Sequence, residues 1–166
     1  MFETPFTAII SGASGTGKTE WIKKLLKYKA QLINNEPKHV LYCYGEINPE
    51  IMKLKHEGIE LFNGVPTKAD ITERPSNMLL ILDDLITDID PKFLEVLYTR
   101  GSHHWNVSVI TVTQNLFDRN LKVARINSQR SARNRIQQGG QLAIASLLAP
   151  VLSAVAQTLL DKVITK

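Results

Sequence analysis

Read for its alternation of apolar and polar positions, the chain predicts short buried strands separated by helices. Phe6–Ser11 is an apolar run rich in β-favouring residues that ends in a glycine-rich loop, the mark of a buried strand. Thr19–Ile33 then places Trp21, Ile22, Leu25, Leu26 and Ile33 at helical spacing, with Lys23, Lys24 and Lys27 elsewhere. That pattern predicts an amphipathic helix, and Pro37 closes the unit. His39–Tyr44 reads as a second strand, Glu50–His56 as a short helix, and Ile59–Phe62 as a short strand before the turn at Gly64–Pro66. Met78–Leu82 is an unbroken apolar run that stops at Asp83 and Asp84. Pro91 suits the first turn of a helix through Arg100, with Asp90 as its cap. Val107–Val112 is a β-branched strand closed by Thr113, Gln114 and Asn115. Strands alternating with helices in this way predict an α/β fold, a parallel sheet with helices on both faces.

After Phe117 the pattern changes. Arg119–Gln138 is polar and basic with little periodicity, Gly139–Gly140 breaks it off, and Leu142–Ile164 is rich in Ala and Leu. In the last segment Ile144, Leu148, Val151, Val155, Leu159 and Val163 share one helical face, opposite Ser146, Pro150, Ser153, Gln157 and Asp161. The expected organisation is a core over 1–118, a basic linker over 119–140 and an amphipathic hydrophobic helix over 141–166. That helix suits packing on the sheet, contact between subunits, or a membrane surface; Pro150 and the polar stripe argue against a span.

Gly12-Ala13-Ser14-Gly15-Thr16-Gly17-Lys18-Thr19 fits G-x-x-x-x-G-K-[ST] in full, between a predicted strand and a predicted helix. Glycines let successive amides converge on one concavity at a helix N-terminus, where unpaired N–H donors and the helix dipole favour phosphate. In that setting Lys18 is expected to reach the β- and γ-phosphates of ATP, and the Thr19 hydroxyl to ligate Mg²⁺. Such a loop needs an acid from the carboxyl edge of the same sheet. Asp83 is the metal-side candidate, and Asp84, one residue on, is the candidate general base toward water. Gln114 ends the next long strand and is placed to touch both the γ-phosphate and the attacking water, although Thr-Gln-Asn is also ordinary strand-exit chemistry. Arg100 is a candidate arginine finger acting in trans. His103 and His104 are adjacent and face apart, which makes a poor zinc pair.

These segments together resemble the genome-packaging ATPases of the FtsK–HerA superfamily. The nearest likeness is to the poxvirus-type enzymes of large DNA viruses, virophages and Polinton/adintovirus-like elements. The likeness is carried by Gly12–Thr19, by Leu79–Asp84, by Tyr98–Ile110 and by Thr113-Gln114-Asn115-Leu116-Phe117, and covers about 6–117. It implies a P-loop NTPase of the additional-strand type, with the Gln114 strand between the phosphate-loop strand and the Asp83 strand. It also implies a homo-oligomeric ring that hydrolyses ATP to drive double-stranded DNA into a capsid, with Arg100 acting across the subunit interface. The chain departs from the family at Asp84, where many relatives carry Glu, and at Ser102, a place that is often basic. Past the polar strand, relatives continue with at least one more strand and a helix, so the sheet is expected to be truncated. The tail from Arg130 resembles small hydrophobic capsid or membrane-active polypeptides of the same elements.

Composition bounds these readings. The chain has 166 residues, 43% hydrophobic and 22% charged, which suits one domain and excludes collagen-like or fully disordered chains. The single Cys43 excludes a disulfide framework and a thiolate zinc cage. Met1–Pro5 has no basic lead and Phe6–Ile10 is short for a secretory core, so an intracellular or virion-associated setting is expected. The formal charge of +4 is uneven: from Asn120 onward seven basic side chains meet one acid, Asp161. A basic end suits DNA phosphates, with Arg125, Arg130, Arg133 and Arg135 as candidates, or simply a solvated linker. The rival functions are an ATP-binding remnant without motor activity, and a capsid- or membrane-associated protein acting through its tail. A small-molecule kinase is disfavoured by the acid pair and by the lack of an arginine-rich lid.

Overall fold

The computed structural model describes residues 2–122 and Ile126. Five strands, β1 (Thr7–Ser11), β2 (His39–Tyr44), β3 (Glu60–Asn63), β4 (Met78–Asp83) and β5 (Val107–Thr113), form one sheet in the order β1-β5-β4-β2-β3. Every pairing is parallel. Six helices join them: α1 (Lys18–Lys27), α2 (Lys29–Leu32), α3 (Pro49–Leu54), α4 (Lys68–Thr72), α5 (Pro91–Val96) and α6 (Ser102–His104).

The central strands are largely apolar because both sheet faces are covered, with Ser108, Thr111 and Thr113 as buried polar positions of β5. Val40, Tyr42, Leu79, Ile81, Ile110 and Val112 point to one face and pack with Ile22, Leu25 and Leu26 of α1 and Ile51 and Leu54 of α3. Leu41, Cys43, Leu80, Leu82, Val107 and Val109 point to the other, against Ile71 of α4 and Leu94 of α5. Burial holds the Cys43 thiol up at about 12, so it is an inert core thiol at neutral pH.

The elements differ from the sequence expectation in three places. The first helix stops at Lys27, because Tyr28 leaves helical geometry (φ −110°, ψ 19°), and Ile33 is extended (φ −114°, ψ 120°) and buried. There the chain meets Phe2, whose N–H donates to the Leu32 carbonyl at 2.7 Å and whose carbonyl accepts from Asn34 N–H at 2.8 Å. Second, α4 has too few apolar positions to show a period; its signature is the capping box in which Thr67 and Asp70 bond reciprocally.

Third, the helix from Pro91 does not end at Arg100. It widens into a π turn over Leu97–Gly101 and continues as α6. The wide turn lets Leu97, Tyr98 and Gly101 all face inward. The Tyr98 hydroxyl donates to Thr111 Oγ1 at 2.6 Å, tying the turn to β5. Gly101 is required there, since a Cβ would stand 2.8 Å from the Trp105 ring.

Beyond β5, Asp118 caps a 3-10 turn (Arg119–Leu121), accepting from Asn120 N–H at 2.8 Å. Leu121 is fully buried in the second core, so the packed unit reaches past residue 118. The expected helix over 141–166, and the linker beyond its first positions, lie outside the described residues. Among the described residues, no helix is long and apolar enough to cross a membrane.

Candidate functional site

The register of the sheet determines what meets at its carboxyl edge. Ser11 is paired with Thr113, and Val112 with Asp83, so the ends of β1, β5 and β4 lie side by side. The glycine-rich loop leaves β1 at this edge. Gly12 N–H donates to the Thr113 carbonyl at 3.2 Å, anchoring the loop to β5. Gly15 (φ +78°) and Gly17 (φ +86°) occupy the left-handed region that side chains resist. A Cβ on Gly12 would stand 2.7 Å from Thr16 Oγ1, whose hydroxyl donates to the Ala13 carbonyl at 2.8 Å.

Gly17 precedes α1, and no side chain caps the helix. The first amides of this ten-residue helix therefore stand open beside the exposed loop 13–17. Lys18 folds back over the loop, its ammonium donating to the carbonyls of Gly12 at 2.7 Å and Ala13 at 3.0 Å. Thr19 follows at the second position of α1, half-buried.

Asp83 shares the sheet face of Leu79 and Ile81, the face that α1 covers. Burial pushes its carboxyl above the ordinary range; the Tyr42 hydrogen bond pulls it down, the Asp84 charge raises it and the Lys18 charge lowers it. The Lys18 ammonium and the Asp83 carboxylate therefore feel each other across the edge. Tyr42, one strand over, donates its phenolic proton to Asp83 Oδ2 at 2.5 Å, and burial raises its own ionisation far above its ordinary value. The sequence reading missed Tyr42. A phenol inside an otherwise apolar strand demands a polar partner, but only the register, with Tyr42 beside Ile81, reveals which one.

Asp84 leaves the strand in the left-handed region (φ +54°), its N–H held by the Val112 carbonyl at 3.0 Å. That turn separates its carboxylate from Asp83 and exposes it. Gln114 Nε2 donates to Asp84 Oδ2 at 2.8 Å, so the candidate base and the polar residue of β5 are in direct contact.

Arg100 stands apart from this group. It lies exposed in the π turn, near the amino end of β5, in a concavity with Lys92 and Trp105. His103 and His104 follow it, both exposed.

An open helix N-terminus, a loop crowded at Gly12, one ammonium and one half-buried carboxylate form a group that fits a triphosphate with a divalent cation. What the fold itself defines is the α/β class, a five-stranded parallel sheet flanked by helices and compatible with a phosphate-loop fold. No protein-family model matches the chain, and no curated protein sequence matches it.

Proposed function

We propose that the chain binds Mg²⁺·ATP at this carboxyl edge and hydrolyses it, as a P-loop ATPase of the additional-strand type. The observation that carries the reading is the side-by-side register of three strand ends. The glycine loop leaves β1, Gln114 follows β5, Asp83 ends β4 and Asp84 follows it, with β5 between the other two. Phosphate would lie against the amides of 12–19, and Lys18 would exchange its two loop carbonyls for phosphate oxygens. Thr19 and Asp83 would hold Mg²⁺, which when bound neutralises charge on the phosphate oxygens. Asp84 accepts a proton from the attacking water, and Gln114, bonded to Asp84, orients that water and senses the terminal phosphate. The likeness to packaging ATPases extends the proposal: a ring of copies couples hydrolysis to the movement of double-stranded DNA into a capsid.

The test uses the full chain. Mg²⁺·ATP binding and phosphate release are measured with and without duplex DNA, alongside solution mass. Lys18→Ala is expected to abolish binding, and Asp84→Asn to preserve binding while stopping release. Wild-type binding without release would reduce the protein to a nucleotide-binding remnant. Binding that survives Lys18→Ala would remove the site.

A further inference from the structure

Along the outer side of α5, the π turn and α6 runs a concavity of about 490 Å³, whose lining includes none of the carboxyl-edge residues. Phe93 and Trp105, both half-buried, provide apolar surface, and Lys68, Lys92, Arg100 and His104 line it with them. The Lys68 ammonium lies 5.7 Å from the Trp105 ring centroid. One carboxylate, Asp90, belongs to this lining, and its Oδ1 is engaged as the cap of α5, accepting from Lys92 N–H at 3.1 Å. Lys23, Lys29, Lys53 and Arg74 are each ion-paired with glutamate. Among the described residues, Lys68, Lys92 and Arg100 form no ion pair. Three cations sharing one concavity repel each other, and an anionic occupant relieves that repulsion.

We propose that this groove holds the backbone of double-stranded DNA, Lys68, Lys92 and Arg100 contacting its phosphates. The inference rests on the reading of DNA as the partner and names the surface of the folded core that meets it. Lys92 and Arg100 line the same groove as Lys68, so its positive charge complements a polyanionic backbone. An acidic peptide would satisfy the same charge, and the test below separates the two occupants. Long flexible side chains at the rim suit phosphate contacts that position a duplex without reading its bases.

The experiment uses the full chain carrying Trp21→Phe, which leaves Trp105 as the single indole. Its emission is followed as a short duplex is added, and affinity is measured across a range of salt concentrations. Trp105 emission is expected to change on DNA addition. Lys68→Gln with Lys92→Gln is expected to weaken binding and to flatten the dependence of log affinity on log salt by about 1.8, the value for two phosphate contacts. Lys53→Gln with Lys55→Gln, on exposed residues outside the groove, is expected to leave that slope unchanged. Lys18→Ala is expected to keep the Trp105 response, which separates the groove from the nucleotide site. Duplex binding with an unchanged slope and a silent Trp105 overturns the groove and leaves DNA as partner. No duplex binding at all removes the partner as well. Equal displacement of the DNA by poly-glutamate at matched ionic strength overturns the proposal in favour of an acidic protein.

Discussion

Tyr42 and Asp83, on neighbouring strands, share a hydrogen bond of 2.5 Å in which the buried phenol fixes one carboxylate oxygen. Tyr42 is fully buried and makes this bond from a face packed mostly with Ile, Leu and Val. The carboxylate is thereby held in one orientation before any cation arrives, as an outer-shell partner orients a metal ligand. Tyr42→Phe keeps the ring and removes the donor. Stability is expected to fall by about 1–2 kcal/mol, because the half-buried Asp83 loses a partner. The Mg²⁺ concentration needed for ATP binding is expected to rise several-fold. Titrating Mg²⁺ against ATP binding in both chains checks this; an unchanged requirement would mean Tyr42 serves the core alone.

Gly12 tests the loop without touching a charge. Gly12→Ala brings a methyl group within 2.7 Å of Thr16 Oγ1, so the loop has to reorganise. ATP affinity is expected to drop at least about tenfold, 1.4 kcal/mol, while thermal unfolding moves little. Adding Thr16→Ala removes the clashing oxygen and is expected to recover part of the loss. Calorimetric titration of the single and double variants reads both effects.

Asp84 and Gln114 act as a pair. Asp84→Asn tolerates the same left-handed backbone and is expected to bind ATP normally while phosphate release falls about 100-fold or more. Gln114→Ala removes the contact to Asp84 and is expected to lower release with ATP affinity nearly unchanged. Single-turnover assays with bound ATP separate these outcomes from a binding defect.

The charge cluster on β3 sets a pH response remote from the carboxyl edge. Arg74 Nη2 donates to Glu60 Oε1 at 2.6 Å, and His39 Nε2 lies 2.7 Å from Glu60 Oε2. Arg74, before His39, holds the Glu60 carboxyl below its ordinary range. A depressed carboxyl adds stability above its unfolded value, about 4.3, and loses that contribution as pH falls through the folded value. Glu60→Gln is therefore expected to lower the melting temperature at pH 7 slightly, the stability lost being less than about 1 kcal/mol for a partly exposed group. The gap between the two chains should close as pH falls through the lowered Glu60 value. Melting curves at several pH values decide it.

How much of this could be read from the chain varies by element. β2 runs from His39 to Tyr44 as its apolar pattern implies, and β4 and β5 each extend one residue past their runs, to Asp83 and Thr113. Strands buried on both faces leave an unmistakable apolar block. The glycine-rich loop after β1 was equally legible, because its glycines answer to backbone geometry within eight residues. Helices were harder. The stop at Tyr28 follows from burying Ile33 beside Phe2, a contact between distant parts of the chain. The π turn at Leu97–Gly101 follows from packing Tyr98 on Thr111, which no local period encodes. The contacts of Asp83 with Tyr42 and of Asp84 with Gln114 depend on strand register, which the linear order of residues does not display.

The strand order has a consequence for how the molecule is made. β1 leaves first during synthesis, yet among the described residues its partner in the sheet is β5, about a hundred residues later. Until Val107–Thr113 has been synthesised and slots between β1 and β4, the strand leading into the glycine-rich loop has no neighbour in the sheet and the acidic strand end lacks one flank. Assembly therefore finishes in the middle rather than at a border, a slow, late closure of distant contacts. A nascent chain released before Thr113 would hold the glycine-rich loop and the acidic strand end with no strand to join them.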